Sequence, residues 1–159
     1  MSLFWKYAII FIVSMVPLVE LRGAIPYAVA MELDLLPSYI IAIIANMLPV
    51  PIIYLFARKV LVWGSNKKYI GSFFTYCIEK GERGGSKLQR RAGRGGLFVA
   101  LLLFVGIPLP GTGAWTGTLA ASFLNMGLRA TSIAVSLGVI LAGIIMGVVS
   151  FTGIHVFGL

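Results

Sequence analysis

The chain has 159 residues, 59% of them hydrophobic and 11% charged, with a mean hydropathy of +0.99. A domain of this size leaves a large share of its surface outside, so this composition excludes an ordinary soluble globule and predicts an integral protein of the cell membrane. The formal charge of +8 is matched by residues 58 to 94 alone, which hold ten of the thirteen basic residues against Glu79 and Glu82; one basic connector between two oily halves is a topology signal, cytoplasmic by the positive-inside rule, and speaks against a nucleic-acid partner.

In chain order, the first apolar stretch runs from Leu3 to Val19, with Lys6 as its single charge. No small-residue cleavage signal follows, so it reads as a retained segment. It leads through "ELRG" into a second short stretch, Ala24 to Leu36. Tyr39 to Ala57 comes next and is long enough to cross, since a spanning helix needs about 20 residues. Pro49 and Pro51 read as kinks within it, because neighbouring helices can satisfy the freed backbone groups.

The connector, residues 58–96, opens with an amphipathic pattern. From Lys67 to Glu82, the residues Ile70, Phe73, Phe74, Cys77 and Ile78 recur at helical spacing, with Lys67, Lys68, Glu79 and Lys80 on other faces. That predicts a helix lying in the membrane interface, a surface anchor that also offers contact with anionic lipid headgroups. The glycine-rich "KGERGGSKLQRRAGRGG" after it reads as a flexible link. Leu97 to Pro108 and Ala114 to Leu128 are each too short to span and meet at "PLPGTG", whereas the final stretch, Ala130 to Leu159, is long enough.

Residues 1–57 and 97–159 therefore share one layout: two short arms meeting at a break, then a long helix. Sliding one half over the other by 91 residues sets Val16, Pro17 and Leu18 on Ile107, Pro108 and Leu109, and, without a gap, Ala30 on Ala121, Leu33 on Leu124 and Asp34 on Asn125. The predicted fold is all-α: two inverted repeats, each a re-entrant helical hairpin plus one transmembrane helix, in a single membrane domain. With the connector inside, both termini fall outside, and Lys6 is the one basic residue against the scheme. A four-span arrangement, with Leu3 to Val19 as a full crossing and Leu97 to Leu128 as one broken crossing, stands beside it.

Irregular backbone at membrane depth survives only where protein or a water-filled cavity surrounds it. Broken helices of this kind mark transporter sites, where half-helix N-termini aim positive dipole ends at anionic groups. In the second half, Gly113 opens the arm to Leu128, with Thr112 as a candidate cap for its free amides; in the first, Gly23 and Pro26 open the arm to Leu36. Glu20 and Arg22 lie between the first two arms, and a charge at the bilayer centre costs about 2.5–3.5 kcal/mol on insertion scales. In the hairpin arrangement Glu20 reads as a proton-binding or counter-charge group and Arg22 as the holder of a phosphate or carboxylate. In the four-span arrangement the two form a plain extracellular turn. Pro108, Pro110, Gly111, Thr112, Gly113, Trp115 and Thr116 complete the candidate site with backbone amides, hydroxyls and an aromatic wall.

Asn46, just before the proline kinks, reads either as a polar group in a pathway or as an interhelical contact, and Arg129 either as a ligand group or as a positive-inside anchor. Gly138, Gly143 and Gly147 in the last helix suit close helix packing or dimerisation. His155 is the single histidine, near one end, and Cys77 the single cysteine, so an internal disulfide or a cysteine-based zinc site is excluded. No serine/histidine or cysteine/histidine set falls within reach, which speaks against an enzyme, and nothing calls for a cofactor or a metal. Two full spans are few to enclose a pathway, so a homodimer among membrane lipids is expected.

"PLVELRGAIP" and "GIPLPGTGAWTG", on either side of the basic loop, resemble the putative small multidrug export proteins across nearly the whole chain. That family in turn resembles the DedA, or VTT-domain, membrane proteins, which implies paired re-entrant hairpins in an inverted repeat. The resemblance also implies a transporter of a small amphipathic substrate, such as a drug or a lipid phosphate, dependent on the proton motive force. Relatives in the wider group carry membrane-embedded acidic and arginine residues near the hairpins; Glu20 and Arg22 match that pattern, while the second motif carries no charge and Arg129 comes well after it.

Overall fold

The computed structural model describes residues 2–17, 19–67, 69, 71–109 and 111–157. Its helices are α1 (Leu3–Met15), α2 (Glu20–Ala30), α3 (Leu35–Met47), α4 (Pro49–Ser65), α5 (Gly71–Gly106), α6 (Ala114–Phe123) and α7 (Leu128–Phe157). Between α3 and α4 the chain keeps helical dihedrals at Leu48 (φ −56°, ψ −45°), so the two form one apolar run from Leu35 to Ser65, with Pro49 and Pro51 at its joint. Among the described residues, that run and Leu128–Thr152 are the two stretches long and apolar enough to cross a membrane.

Each short pair folds back on itself. Lys6 Nζ, near the start of α1, donates to Met31 O just past the end of α2 at 2.9 Å, closing the open end of the first hairpin. A cation on the last carbonyls of a helix is favourable, which gives Lys6 a local task independent of the charge rule. In the second hairpin, Gly117 of α6 lies against Val105 and Leu101 of α5. The chain thus reverses at both breaks, so α5 and α6 do not continue one another as a single broken helix. The hairpins then pack crosswise, α2 against α7 and α6 against α4, while α3 and α7 also touch.

The interior combines large apolar side chains, Ile10, Leu21, Ile25, Val50, Val105, Val135 and Val139, with many small and hydroxylated residues. Ala24, Ala28, Ala42, Ala114, Ala121 and Ala134 are fully buried, as are Ser14, Ser38, Thr118 and Thr131. These hydroxyls donate to the carbonyl four residues back in their own helices, as Ser14 does to Ile10 at 2.7 Å and Thr118 to Ala114 at 2.6 Å, so burial leaves their hydrogens satisfied. Other large apolar residues face outward, including Ile12, Ile40, Ile52, Phe56, Ile140 and Val148.

The two halves repeat at the level of hydrogen bonds, though not in the ungapped register. After α2, Met31, Glu32 and Leu33 donate their amides to Tyr27, Val29 and Ala28; after α6, Leu124, Asn125 and Met126 donate theirs to Ala120, Ser122 and Ala121. Glu32 (φ 55°) and Asn125 (φ 56°) are the left-handed residues of these two turns. Ser38 donates its amide and its hydroxyl to Asp34 O, and Thr131 does both to Gly127 O. Every one of these pairs (32 with 125, 34 with 127, 38 with 131) lies 93 apart rather than 91. Leu33 therefore corresponds to Met126, not Leu124, because the tip of the second hairpin is longer and no ungapped slide can register that.

Two further expectations change. The glycine-rich link is helical, since α5 runs from Gly71 to Gly106 with one non-helical residue, Gly93 (φ 71°, ψ 177°). Its lysines, arginines and Gln89 are good helix formers that offset the glycines, and Glu79 and Arg83 form an i,i+4 pair at 3.3 Å. Ile70, Lys68 and the side chains of Cys77, Lys80 and His155 lie outside the described residues. Arg58 and Lys59, placed by sequence in the connector, belong to α4.

The glycine spacing of α7 is filled within the chain. Tyr39 of α3 lies across Gly143 and Gly147 and donates its hydroxyl to Gly143 O, and Gly138 receives Val105 and Leu102. A Cβ at Gly147 would collide with the Tyr39 hydroxyl. Gly147→Ala is accordingly expected to destabilise the protein by about 1–3 kcal/mol through overpacking, and Tyr39→Phe in the same chain should recover part of that loss. Denaturant titration of the two variants in detergent checks both.

Candidate functional site

The break in the second hairpin creates two local demands. The end of α5 leaves carbonyls without intrahelical donors, and the start of α6 leaves amides without acceptors. Both are met from the first hairpin, some ninety residues away in sequence. Ala114 N donates to Glu20 Oε2 at 3.1 Å and Trp115 N to Glu20 Oε1 at 3.0 Å. Arg22 Nη1 donates to Leu109 O at 2.6 Å and Thr112 O at 2.7 Å, while Nη2 reaches Thr112 Oγ1 at 2.8 Å, Val105 O at 3.1 Å and Ile107 O at 3.2 Å. The acid caps a helix N-terminus and the guanidinium a helix C-terminus, each the favourable sign for its dipole. The two hairpin tips are thereby clasped together.

The backbone around the clasp is specialised. Glu20 is 3% exposed and sits at φ 51°, a left-handed conformation that costs a non-glycine residue about 1–2 kcal/mol. Gly113, at the equivalent place in the second half, has φ 141°, and a Cβ there would collide with both carboxylate oxygens of Glu20. The missing side chain of Gly113 is the space the Glu20 carboxylate fills. Gly111 (φ 81°) supplies the other positive-φ turn of the loop.

Not every sequence-derived role survives in this geometry. Thr112 does not cap α6: its hydroxyl lies within bonding distance of Ile107 O and Leu109 O, both at 2.9 Å, and accepts from Arg22, leaving Glu20 as the acceptor for the α6 amides. Gly23 and Pro26 do not open α2, because Glu20 starts the helix and both lie inside it, Gly23 leaving room for Val19. Trp115 contributes its main-chain amide, while its indole Nε1 is buried without a partner. Thr116 Oγ1 reaches Gly113 O at the 3.5 Å limit, and Pro108 is half-buried in the loop. Pro110 lies outside the described residues.

Asn46 and Arg129 make none of these bonds. Asn46 is buried in α3 with its Oδ1 unpartnered, and Arg129 is exposed in the first turn of α7. Sequence reasoning missed the carbonyls of Val105, Ile107 and Leu109, which carry no residue-type signal, and a second anchor. That anchor is the turn after α6, where Tyr54 Oη accepts from Gly127 N at 3.0 Å, Ser122 Oγ donates to Tyr54 O at 3.2 Å, and Arg58 donates to Asn125 Oδ1. Among the described residues no three of His, Cys, Asp or Glu come together as metal ligands.

The sequence model of one family, described as "Putative small multi-drug export protein", matches residues 20–145, from the acid of the clasp to the middle of α7. No match was found among curated proteins or solved structures. Two apolar helices of spanning length are consistent with a membrane protein of that kind. The match takes in Glu20, Arg22, the whole second hairpin tip and most of the chain, which belongs to the small multi-drug export protein family.

Proposed function

We propose that the chain is a small membrane exporter built from two inverted units, in which the clasp between the hairpin tips is the closed gate. The reading includes kinship with the DedA/VTT proteins, a homodimeric working unit, a cytoplasmic connector, outer termini and transport rather than catalysis. Its membrane setting is supported by the two long apolar helices and by the many large apolar side chains on the surface. Inversion is supported by the packing of equivalent helices: Tyr39 of α3 lies on Gly143 and Gly147 of α7, while Met47 meets Ser136, so the two run antiparallel.

The observation that carries the reading is the clasp itself. Any path between the halves at this level has to part the tips, and the groups that tie them are one carboxylate and one guanidinium. Glu20 couples the gate to protons in a simple way. A neutral carboxyl loses the negative charge that strengthens both amide hydrogen bonds and suits the helix N-terminus, and one of its oxygens becomes a hydroxyl, a weaker acceptor, so proton uptake loosens the cap on α6 and frees the tips. The substrate is a small amphipathic molecule that enters as they part.

Glu20→Gln, which holds a fixed neutral amide at that place, is expected to abolish the pH dependence of efflux from reconstituted vesicles while the protein still inserts. Unchanged pH-dependent efflux would remove Glu20 from the coupling. A cellular phenotype that survives loss of Glu20 and Arg22 but fails on neutralising the connector would replace the exporter with a membrane scaffold.

A further inference from the structure

The environment of Arg22 has the form of a binding site whose ligand is supplied by the chain. Five oxygens from one short segment, Val105 O, Ile107 O, Leu109 O, Thr112 O and Thr112 Oγ1, converge on its two terminal nitrogens. None is a carboxylate, so recognition rests on neutral oxygens at the C-terminal end of α5, where the dipole favours a cation. The Thr112 hydroxyl lies 2.9 Å from Ile107 O and from Leu109 O, either of which takes its hydrogen and leaves a lone pair for Arg22. The loop is shaped to do this by Gly111 at φ 81° and Gly113 at φ 141°. It is also reachable from outside, with Ile107 44% and Leu109 56% exposed.

We infer that the carbonyls of Val105, Ile107, Leu109 and Thr112, with the Thr112 hydroxyl, form a receptor for planar guanidinium or amidinium cations, occupied in the closed protein by Arg22. The contacts select this class because they address the paired terminal NH2 groups, the edge that a free guanidinium or amidinium shares with arginine; a compact ammonium or a quaternary cation cannot present it. An anionic headgroup meets the wrong partners here, since Arg22 is already held by carbonyls and the α6 amides by Glu20. The inference deepens the exporter reading by giving its substrate a chemistry, and the receptor itself is testable without transport.

The probe is methylguanidinium, with urea and tetramethylammonium as neutral and non-planar controls, added to purified Arg22→Ala protein in detergent while the thermal midpoint is followed. A saturable rise is expected for methylguanidinium alone, half-complete at about millimolar concentration as fits so small a ligand. The unmodified protein should respond at least about tenfold more weakly, because its own tethered guanidinium competes at high effective concentration. Arg22→Gln, which retains side-chain length and one NH2 donor, serves if the alanine variant does not fold, and adding Thr112→Val to either should remove the response. Equal response to all three solutes, or none in both Arg22 variants, overturns the receptor. Efflux of labelled methylguanidinium from vesicles by the unmodified protein is read separately: binding without efflux leaves the receptor standing and defeats the exporter reading.

Discussion

Arg22→Ala is expected to destabilise the folded protein by about 2–4 kcal/mol. The substitution removes a cation from five acceptors and leaves the buried Glu20 carboxylate without its positive neighbour. The figure stays below the sum of five charged hydrogen bonds because the carbonyls of exposed Ile107 and Leu109 regain water. Arg22→Lys should recover only part of it, since a single ammonium on a flexible stem cannot bridge Leu109 O and Val105 O together as the planar fork does. Denaturant titration in detergent ranks the three proteins, and an alanine variant as stable as the parent would reduce the clasp to a surface contact.

The second large effect belongs to a residue with no side chain. Gly113→Ala places a methyl group where the Glu20 carboxylate lies and imposes φ 141° on an L-residue, and both demands push the loop and Glu20 apart. We expect a loss of about 2–4 kcal/mol, similar to that of Glu20→Ala, because each ends with the Ala114 and Trp115 amides uncapped. The two changes should therefore be strongly non-additive: once Glu20 is alanine, Gly113→Ala retains only its backbone strain. A double-mutant cycle reads this directly. Simple additivity would show that the glycine and the acid do not share the space.

Much of the architecture was legible because membrane helices are read by length. Three short arms and a long run follow from where apolar stretches stop, although the arms (α1, α2, α6) are shorter than those stretches and the long run, read as Tyr39 to Ala57, extends from Leu35 to Ser65. The break at "PLPGTG" was equally visible, as was the singularity of Glu20 and Arg22, whereas the first break falls ahead of "ELRG", between Met15 and Glu20, and "ELRG" itself opens α2. The partners of those two charges were not legible. Their ligands are backbone atoms some ninety residues away, and a carbonyl at Val105 has no signature that distinguishes it from any other. A substrate seemed the natural partner for a lone acid and arginine, whereas each charge in fact satisfies one broken end of the opposite hairpin.

The register and the glycines failed for related reasons. An ungapped slide locks onto the prolines of the tips, where the halves differ in length, and misses the shared turns at Glu32 and Asn125, which residue type hardly marks. Gly143 and Gly147 serve close helix packing, one of the two readings of their spacing, but the partner, Tyr39 of α3, lies too far off in sequence to be named from it. The connector glycines looked like a hinge along their whole length, but the break falls at Gly93 alone.

The clasp is tested most directly at the amides of Ala114 and Trp115, which have no acceptor within α6 and owe any protection to Glu20. Residue-resolved hydrogen exchange in lipid nanodiscs should find both amides slow in the unmodified protein and fast in Glu20→Ala, with the interiors of α3 and α7 unchanged. Fast exchange at both positions in the unmodified protein, or protection that persists when Glu20 is alanine, would contradict the account.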